Sequence, residues 1–220
     1  MSQVVRPVTS LGPGRRLGVW FQGCPLACPG CMSRHTWDPS GGAELTVERF
    51  TALWREALAD GTGGSDGIVG LTVSGGEPLE QPQALAELLA AADEERHRAG
   101  RAADLLVYTG WEPAEIEADP AATAALAGAD AVITGRYRAG QPTALIWRGS
   151  ENQRLTPRTA LGRERYAPYL DHRPERPELQ VRVTAGELRV IGVPRPGDLG
   201  RIERDLAGRG VTFRETSWRP

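Results

Sequence analysis

The sequence predicts an α/β fold, in which a parallel β-sheet is connected by helices and followed by a smaller C-terminal extension. Between residues 17 and 134, short apolar runs alternate with longer segments of helical periodicity, and this order gives parallel strands joined by crossover helices. Beyond residue 172 the pattern changes to two runs of period-two alternation, a helix and a last strand. We therefore expect a core at residues 1–172 and a ββαβ extension at residues 173–220.

Each element of the core follows from a local pattern of apolar residues. Residues at helical spacing predict two helices, at 46–58 with Thr46 as its N-cap and at 83–98, and an alanine-rich helical stretch precedes the last core strand. The Gly-rich segment 60–67 is expected to be flexible, and residues 138–171 to be loop-like. Continuous apolar runs predict four strands, at residues 17–21, 68–73, 105–109 and 129–134.

The extension is predicted from alternating apolar and polar residues. The sequence leaves open whether it packs on the sheet or forms a separate appendage. Its expected elements are strands at 179–183 and 188–193, a helix at 198–208 and a strand at 211–216.

Composition argues against several classes of protein. The chain has 220 residues and no lysine, since all 26 basic side chains are arginine. Schiff-base chemistry, pyridoxal phosphate enzymes and P-loop NTPases depend on a lysine amine. The net charge of −2 gives no basis for binding nucleic acid or a membrane. Because the N-terminus lacks the apolar region of a signal peptide and no apolar run could span a bilayer, we expect a cytoplasmic protein with reduced thiols.

All three cysteines, Cys24, Cys28 and Cys31, lie in one loop after the first predicted strand. An odd number of cysteines fits a disulfide framework poorly. Three interpretations remain: ligands of a [4Fe–4S] cluster with one open iron, a Cys3His zinc site completed by His35, or reduced structural thiols. The asymmetric triplet in a single loop favours the cluster, because zinc sites more often use pairs of ligands separated by a long gap.

The spacing C-x3-C-x2-C in this position resembles the signature of the radical S-adenosylmethionine (SAM) enzymes. The flanking runs Gly-Pro-Gly-Arg-Arg at 12–16, Phe-Gln-Gly-Cys at 21–24 and Cys-Met-Ser-Arg-His-Thr-Trp at 31–37 are similar to the activating enzymes of glycyl radical enzymes, above all those of anaerobic ribonucleotide reductase. Matching motifs recur over residues 11–154. The resemblance implies a partial (β/α) barrel of the radical SAM type, with functional groups at the carboxyl ends of its strands.

A Ser-Gly-Gly-Glu-Pro run at residues 74–78 ends the second predicted strand. By itself it would be an ordinary strand-to-helix turn. The resemblance implies instead that it holds SAM, whose ammonium needs a carboxylate and carbonyl acceptors. It also implies that Arg136, after the fourth strand, pairs with the SAM carboxylate, and the alternative is an ordinary solvated arginine in a loop. The expected SAM-binding residues are Ser74, Gly75, Gly76, Glu77, Tyr108, Thr109 and Arg136.

Residues 148–154, Arg-Gly-Ser-Glu-Asn-Gln-Arg, look like a segment of the same activating enzymes. The resemblance implies a place at the rim of the active site or on a surface for a partner. The alternative is a polar turn without a function of its own.

The resemblance further implies a reaction. The reduced cluster would donate an electron to SAM, giving methionine and a 5′-deoxyadenosyl radical that removes a hydrogen atom from a glycine of a partner glycyl radical enzyme. A low-potential donor of the flavodoxin or ferredoxin type would supply the electron. Two alternatives stay open: a radical SAM enzyme that acts on a small molecule or peptide, and a non-enzymatic zinc-binding module.

Overall fold

A six-stranded sheet forms the centre of the computed structural model, which describes residues 1–60, 67–184, 186–213 and 216–218. The strands are adjacent in chain order, the inner four are parallel, and both edge strands are antiparallel to their neighbours. The four predicted core strands are confirmed. The strands are β1 (Gln3–Val8), β2 (Arg16–Phe21), β3 (Gly70–Gly75), β4 (Asp104–Tyr108), β5 (Ala131–Thr134) and β6 (Arg154–Pro157).

Both edge strands were absent from the sequence prediction, as was the helix after β6. The segments of β1 and β6 are short and each contains a proline, which is typical of edge strands but weakens the apolar signal. The predicted flexible segment at 60–67 lies almost wholly outside the described residues. No helix in the described part of the chain is long and apolar enough to cross a membrane.

Six α-helices accompany the strands in the described residues, and the two long predicted ones are confirmed. Thr46 caps the first of them by accepting a hydrogen bond from the Arg49 N–H. The alanine-rich stretch forms two short helices, because Asp119 caps a new helix that begins at Pro120. The helices are α1 (Val47–Ala59), α2 (Pro82–Arg98), α3 (Pro113–Ala118), α4 (Pro120–Ala125), α5 (Ala160–Tyr166) and α6 (Asp198–Ala207).

Helices α1 to α4 cover one face of the sheet. Alternate residues of the inner strands, such as Leu71 and Val73 of β3, pack there against Trp54 of α1 and Leu89 of α2. The opposite face is covered by two smaller apolar clusters. One contains Trp147 and Tyr166, and the other is closed by the C-terminal extension.

A buried ion pair joins the amino ends of three parallel strands. The Arg16 Nη2 donates to Asp104 Oδ2 at 2.7 Å, and both side chains are fully buried. Arg16 Nε also donates to Thr72 Oγ1 at 2.6 Å, and the Tyr166 hydroxyl donates to Asp104. These contacts lie at the end of the sheet away from the loop after β2 that carries Cys24, Cys28 and Cys31, which we call the cysteine loop. They therefore fix the strands without contacting the cysteines.

The extension packs on the sheet through a two-stranded hairpin, β7 (Leu179–Thr184) and β8 (Glu187–Gly192). Ile191 is buried against Trp20 and Val8, and its carbonyl accepts a 2.9 Å hydrogen bond from Ser10 Oγ. The predicted hairpin and the helix α6 are therefore confirmed.

The predicted last strand at 211–216 is wrong for residues 211–213 and 216, which form no strand, while 214 and 215 lie outside the described residues. The chain instead turns back on α6, where the Val211 N–H donates to the Leu206 carbonyl. It then reaches the cysteine loop, where Ser217 Oγ donates to the Met32 carbonyl at 2.8 Å.

Candidate functional site

The candidate site lies where two neighbouring parallel strands end. Phe21 of β2 pairs with Gly75 of β3, so the loops that follow both strands leave the same edge of the sheet. The Gly76 N–H donates to the Phe21 carbonyl at 2.9 Å, and the Glu77 N–H donates to the Gly23 carbonyl at 2.8 Å. The Gly-Gly-Glu turn is thus bonded directly to the start of the cysteine loop.

Backbone hydrogen bonds close the base of the cysteine loop and form a tight turn inside it. Hydrogen bonds from the Gly23 and Cys24 N–H groups to the carbonyls of Thr36 and Trp37 close the base. Inside the loop, the Cys31 N–H donates to the Cys28 carbonyl at 3.0 Å. Cys24, Cys28 and Cys31 are all free thiols and partly exposed. The loop therefore presents three unpaired sulfur ligands on a defined backbone.

All three thiols line a cavity of about 1300 Å³ together with the Gly-Gly-Glu turn and Tyr108. His35 lines the same cavity, but within the described residues no three His, Cys, Asp or Glu side chains converge tightly enough to hold a metal ion. Three thiols that line one cavity supply the number and type of ligands that a [4Fe–4S] cluster with one open iron requires.

The surroundings of the sulfurs also fit a cluster. Burial raises the pKa of the Cys24 thiol, and the backbone N–H groups of Leu26 and Ala27 act in the opposite direction. Burial likewise raises the pKa of Cys28, and the Tyr137 N–H opposes it. The Ser33 N–H donates a 3.4 Å hydrogen bond to Cys31 Sγ, and an N–H donor at sulfur favours the thiolate form that an iron ligand needs.

The two glycines of the turn are required by close packing of the two loops. A Cβ on Gly76 would lie 2.2 Å from the Gly23 carbonyl oxygen. Gly75 has a φ of 115°, and a Cβ there would lie 2.3 Å from the Phe21 nitrogen. Sequence reasoning assigned these glycines to close approach of a ligand. In the structure, the backbone that they approach is that of β2 and the cysteine loop.

Glu77 is 1% exposed and joins the turns after β3 and β4. Its Oε1 accepts hydrogen bonds from the Leu79 N–H and the Thr109 hydroxyl, and its Oε2 accepts one from the Gly110 N–H at 2.7 Å. Burial raises the pKa of Glu77 to about 7. Glu77 also lines the cavity, and a carboxylate oxygen can accept two hydrogen bonds, so Oε2 keeps the capacity to accept from one more donor.

The other predicted SAM-binding residues occupy different positions. Tyr108 lines the cavity, and its buried hydroxyl has no hydrogen-bond partner. Thr109 contacts Glu77 but does not line the cavity. Arg136 forms a two-bond ion pair with Glu115, at 2.6 and 2.9 Å, and also lies outside the cavity lining. The structure thus brings the Gly-Gly-Glu turn and Tyr108 to the cavity that the cysteines line, whereas Arg136 is paired with Glu115 outside that lining.

Sequence reasoning missed the contribution of the extension to this cavity. Leu188 and Arg189 of β8, together with Phe213, Ser217 and Trp218, line the side facing the cysteine loop. Nothing local to these residues indicates a site. Only the packing of the hairpin on β1 and β2 brings them there.

Three free thiols in one loop, beside the Gly-Gly-Glu turn with its buried carboxylate, are typical of an iron–sulfur protein. The profile of a family described as a 4Fe-4S single cluster domain matches residues 10–156. The chain is 34% identical over 144 residues to the anaerobic ribonucleoside-triphosphate reductase-activating protein of Enterobacteria phage T4, which covers 66% of this chain and 85% of that protein. The corresponding protein of Pasteurella multocida (strain Pm70) is 34% identical over 143 residues, 64% of this chain and 87% of its own.

A third relative is the pyruvate formate-lyase-activating enzyme of Clostridium pasteurianum, which is 42% identical over 86 residues, 38% of this chain and 34% of that enzyme. The chain therefore belongs to the 4Fe-4S single cluster domain family. Its membership confirms the predicted cofactors, a [4Fe–4S] cluster and SAM. The assignment of Cys24, Cys28 and Cys31 as ligands of that cluster stays a prediction.

Proposed function

We propose that this protein is a radical SAM enzyme that activates a glycyl radical enzyme, such as an anaerobic ribonucleotide reductase. One observation carries the proposal: three free thiols and the Gly-Gly-Glu turn face one cavity at the carboxyl ends of β2 and β3. The relatives named as activating proteins support the same role. When bound, the cluster and SAM supply a low-potential electron and a group that removes a hydrogen atom from carbon.

The cysteines are the residues that hold the cluster. Cys24, Cys28 and Cys31 would each bind one iron of the cluster, which would leave one iron for SAM. The hydrogen bonds at the base of the loop fix the backbone of these residues, and their thiols line the same cavity as Glu77.

The turn after β3 holds the ammonium of SAM. Glu77 Oε2 has room for one more donor, and its position is fixed by the Gly110 N–H. Tyr108 contacts the same ligand through the part of its side chain that lines the cavity, because its hydroxyl is buried. Arg136 exchanges Glu115 for the SAM carboxylate, a pairing of the same bidentate kind. The full proposed set is Ser74, Gly75, Gly76, Glu77, Tyr108, Thr109 and Arg136.

The fold is a partial (β/α) barrel of the radical SAM type. Strands β2 to β5 are adjacent in chain order, and helices α1 to α4 all lie on one face of the sheet. Strands in chain order with their helices on one side are the arrangement found in a (β/α) barrel. Residues 1–172 are the radical SAM core and residues 173–220 are an extension to it. The family profile ends at residue 156, before the extension begins.

The partners follow from the reaction. A glycine of a partner polypeptide supplies the hydrogen atom, and a flavodoxin or ferredoxin type protein supplies the electron. The protein acts in the cytoplasm, where thiols stay reduced.

Anaerobic reconstitution tests the proposal. We expect four irons per chain, and dithionite with SAM should yield 5′-deoxyadenosine. A partner with a glycyl radical sequence should acquire the electron paramagnetic resonance (EPR) signal of a glycyl radical. A Cys24→Ser, Cys28→Ser, Cys31→Ser variant is the control and should bind no cluster. An intact, reducible cluster that leaves SAM uncleaved would refute the proposed enzymatic activity. Cleavage of SAM without a glycyl radical on the partner would favour a small-molecule or peptide substrate.

A further inference from the structure

One edge of strand β8 faces the cavity that the cysteines line. Every residue of β8, 187–192, borders this cavity, whereas among the residues of β7 whose side chains are described only Val183 does so. Successive residues of a strand point to opposite faces, so both faces of β8 border one cavity because its edge is turned toward it. In the described part of the chain β8 pairs with β7 alone, and this edge therefore carries no further strand.

Leu188 and Val190 supply the backbone groups of this edge. Thr184 and Glu187 are paired across the hairpin turn, and residues so near in the chain pair only by exchanging both of their backbone hydrogen bonds. Bonded and non-bonded pairs then alternate along the hairpin, so Leu188 and Val190 direct their N–H and C=O groups away from β7. Among the described residues no hydrogen bond engages these groups. Each of the two residues thus offers one donor and one acceptor to another chain.

An apolar surface adjoins the edge of β8. Leu188 and Val190 lie on the face of the hairpin opposite to Ile191, which packs on the sheet. Leu199 and Leu206 of α6 line the same cavity and are only partly buried. In an extended polypeptide paired with β8, side chains alternate between two faces, so every second one would meet this apolar surface.

The cavity has room for a polypeptide beside the cofactors. Its volume of about 1300 Å³ exceeds the roughly 300–1,000 Å³ of sites that enclose one small molecule. The thiols of Cys24, Cys28 and Cys31 and the edge of β8 border this one space. A segment bound along β8 would therefore lie in the same cavity as the cluster and SAM.

We propose that β8 is the docking strand for the partner enzyme, whose glycine-bearing segment adds to it as an extended strand. The proposal rests on the proposed function, in which a glycine of a partner polypeptide supplies the hydrogen atom. Backbone hydrogen bonds to Leu188 and Val190 hold such a segment without the help of its side chains, as a segment that presents a glycine requires. The docking strand lies beyond residue 156, where the match to the family profile ends, so it is a feature of this chain outside the shared domain.

Proline substitutions test the edge without removing a hydrogen bond of the hairpin. Val190→Pro removes an outward N–H and places a ring where the added strand would lie. Val181→Pro is the matched control, because Val181 is paired with Val190, directs its N–H to the opposite edge and does not line the cavity. The probe is a synthetic peptide that spans the radical-forming glycine of the partner protein used in the reconstitution. With all proteins reconstituted to four irons, we expect Val190→Pro to bind this peptide at least about tenfold more weakly than wild type, and Val181→Pro to bind it equally well.

Two measurements on the wild-type protein keep the test valid where a proline variant folds poorly. Binding of the peptide should slow amide hydrogen exchange at Leu188 and Val190 and leave exchange at Val181 unchanged. Methylation of the peptide nitrogens at every second residue removes the donors on one of its two edges. Of the two possible patterns of methylation, one should abolish binding and the other should be tolerated.

Failure of the wild-type protein to bind the peptide, equal affinities for the two proline variants, or unchanged exchange at Leu188 and Val190 would overturn the proposal. Slow exchange at these residues without peptide, together with a dimer in solution, would assign the edge to a second copy of the chain and overturn it as well. The proposed function fails separately: a wild-type protein that holds four irons and leaves SAM uncleaved refutes it, whatever the peptide measurements show.

Discussion

Thr109 Oγ1 donates a 2.7 Å hydrogen bond to Glu77 Oε1, and this contact joins the turn after β3 to the turn after β4. The Gly110 N–H donates to the other carboxylate oxygen at 2.7 Å. Because Glu77 is almost fully buried, these donors, and not water, orient its carboxylate. The residue that we propose for the ammonium of SAM is therefore fixed in place before a ligand arrives.

Glu77 makes the stability of the protein depend on pH. Burial raises the pKa of its carboxyl from 4.5 to about 7. Between these values the folded protein binds more protons than the unfolded chain, so the contribution of Glu77 to stability falls as pH rises. We expect this contribution to fall by roughly 3 kcal/mol over that range. Denaturant unfolding of cluster-free wild type and Glu77→Gln at a series of pH values measures it, and identical pH profiles would contradict the expectation.

Removal of the Glu77 carboxylate should weaken SAM binding without loss of the cluster. A charge-assisted hydrogen bond contributes about 1.5–3 kcal/mol, which corresponds to roughly 10- to 100-fold in affinity. We expect Glu77→Ala to retain four irons and to lose SAM affinity by about this factor, as measured by equilibrium binding to the reconstituted protein. Wild-type affinity in this variant would remove Glu77 from the SAM site.

The contact between the two loops should depend on Gly76. A Cβ there would lie 2.2 Å from the Gly23 carbonyl oxygen, so Gly76→Ala must push the cysteine loop away from β3. We expect a loss of stability of about 2–4 kcal/mol and a reduced iron content after reconstitution. Gly140→Ala is the control, because no atom lies within 4 Å of a Cβ at that position. Equal melting temperatures and iron contents for the two variants would show that this packing is unimportant.

Much of the core and the cluster ligands could be predicted from the sequence because their signals are local. The apolar runs of β3 and β4 and the spacing of Cys24, Cys28 and Cys31 are contained in short stretches of chain. The pairing of Arg136 with Glu115, which lies on α3, could not be predicted, because it joins residues that are distant in sequence. The wall formed by the extension likewise depends on tertiary packing.

The contacts of residues 148–154 could not be predicted for the same reason. The run could be recognised as a motif, but its contacts with Gly135 and Arg136 cross from the segment before β6 to the end of β5. Antiparallel pairing of these two strands brings the partners together. Because β6 was not predicted, the chemistry of Asn152 and Gln153 could not be assigned from the sequence.

The buried ion pair at the other end of the sheet should matter for folding alone. Asp104→Asn leaves the Arg16 guanidinium buried without its counter-charge, which costs about 3–5 kcal/mol of unfolding free energy. Asp60→Asn is the control, because Asp60 pairs with Arg6 at the surface and such pairs contribute about 0–1 kcal/mol. Denaturant unfolding of both variants measures the difference. A similar, small effect of both substitutions would contradict the assigned role of the pair.

Attachment of the extension to the core should depend on Ile191. Its side chain is 3% exposed and packs against Trp20 and Val8, whereas Val183 of the same hairpin is 73% exposed. Ile191→Ala should therefore cost about 2–5 kcal/mol and make the hairpin more accessible to protease. Val183→Ala should stay within about 0.5 kcal/mol of wild type. Thermal unfolding and limited proteolysis measure both effects. Equal melting temperatures and cleavage rates for Ile191→Ala and Val183→Ala would show that the extension does not unfold together with the sheet. The extension would then not form a fixed wall of the cavity.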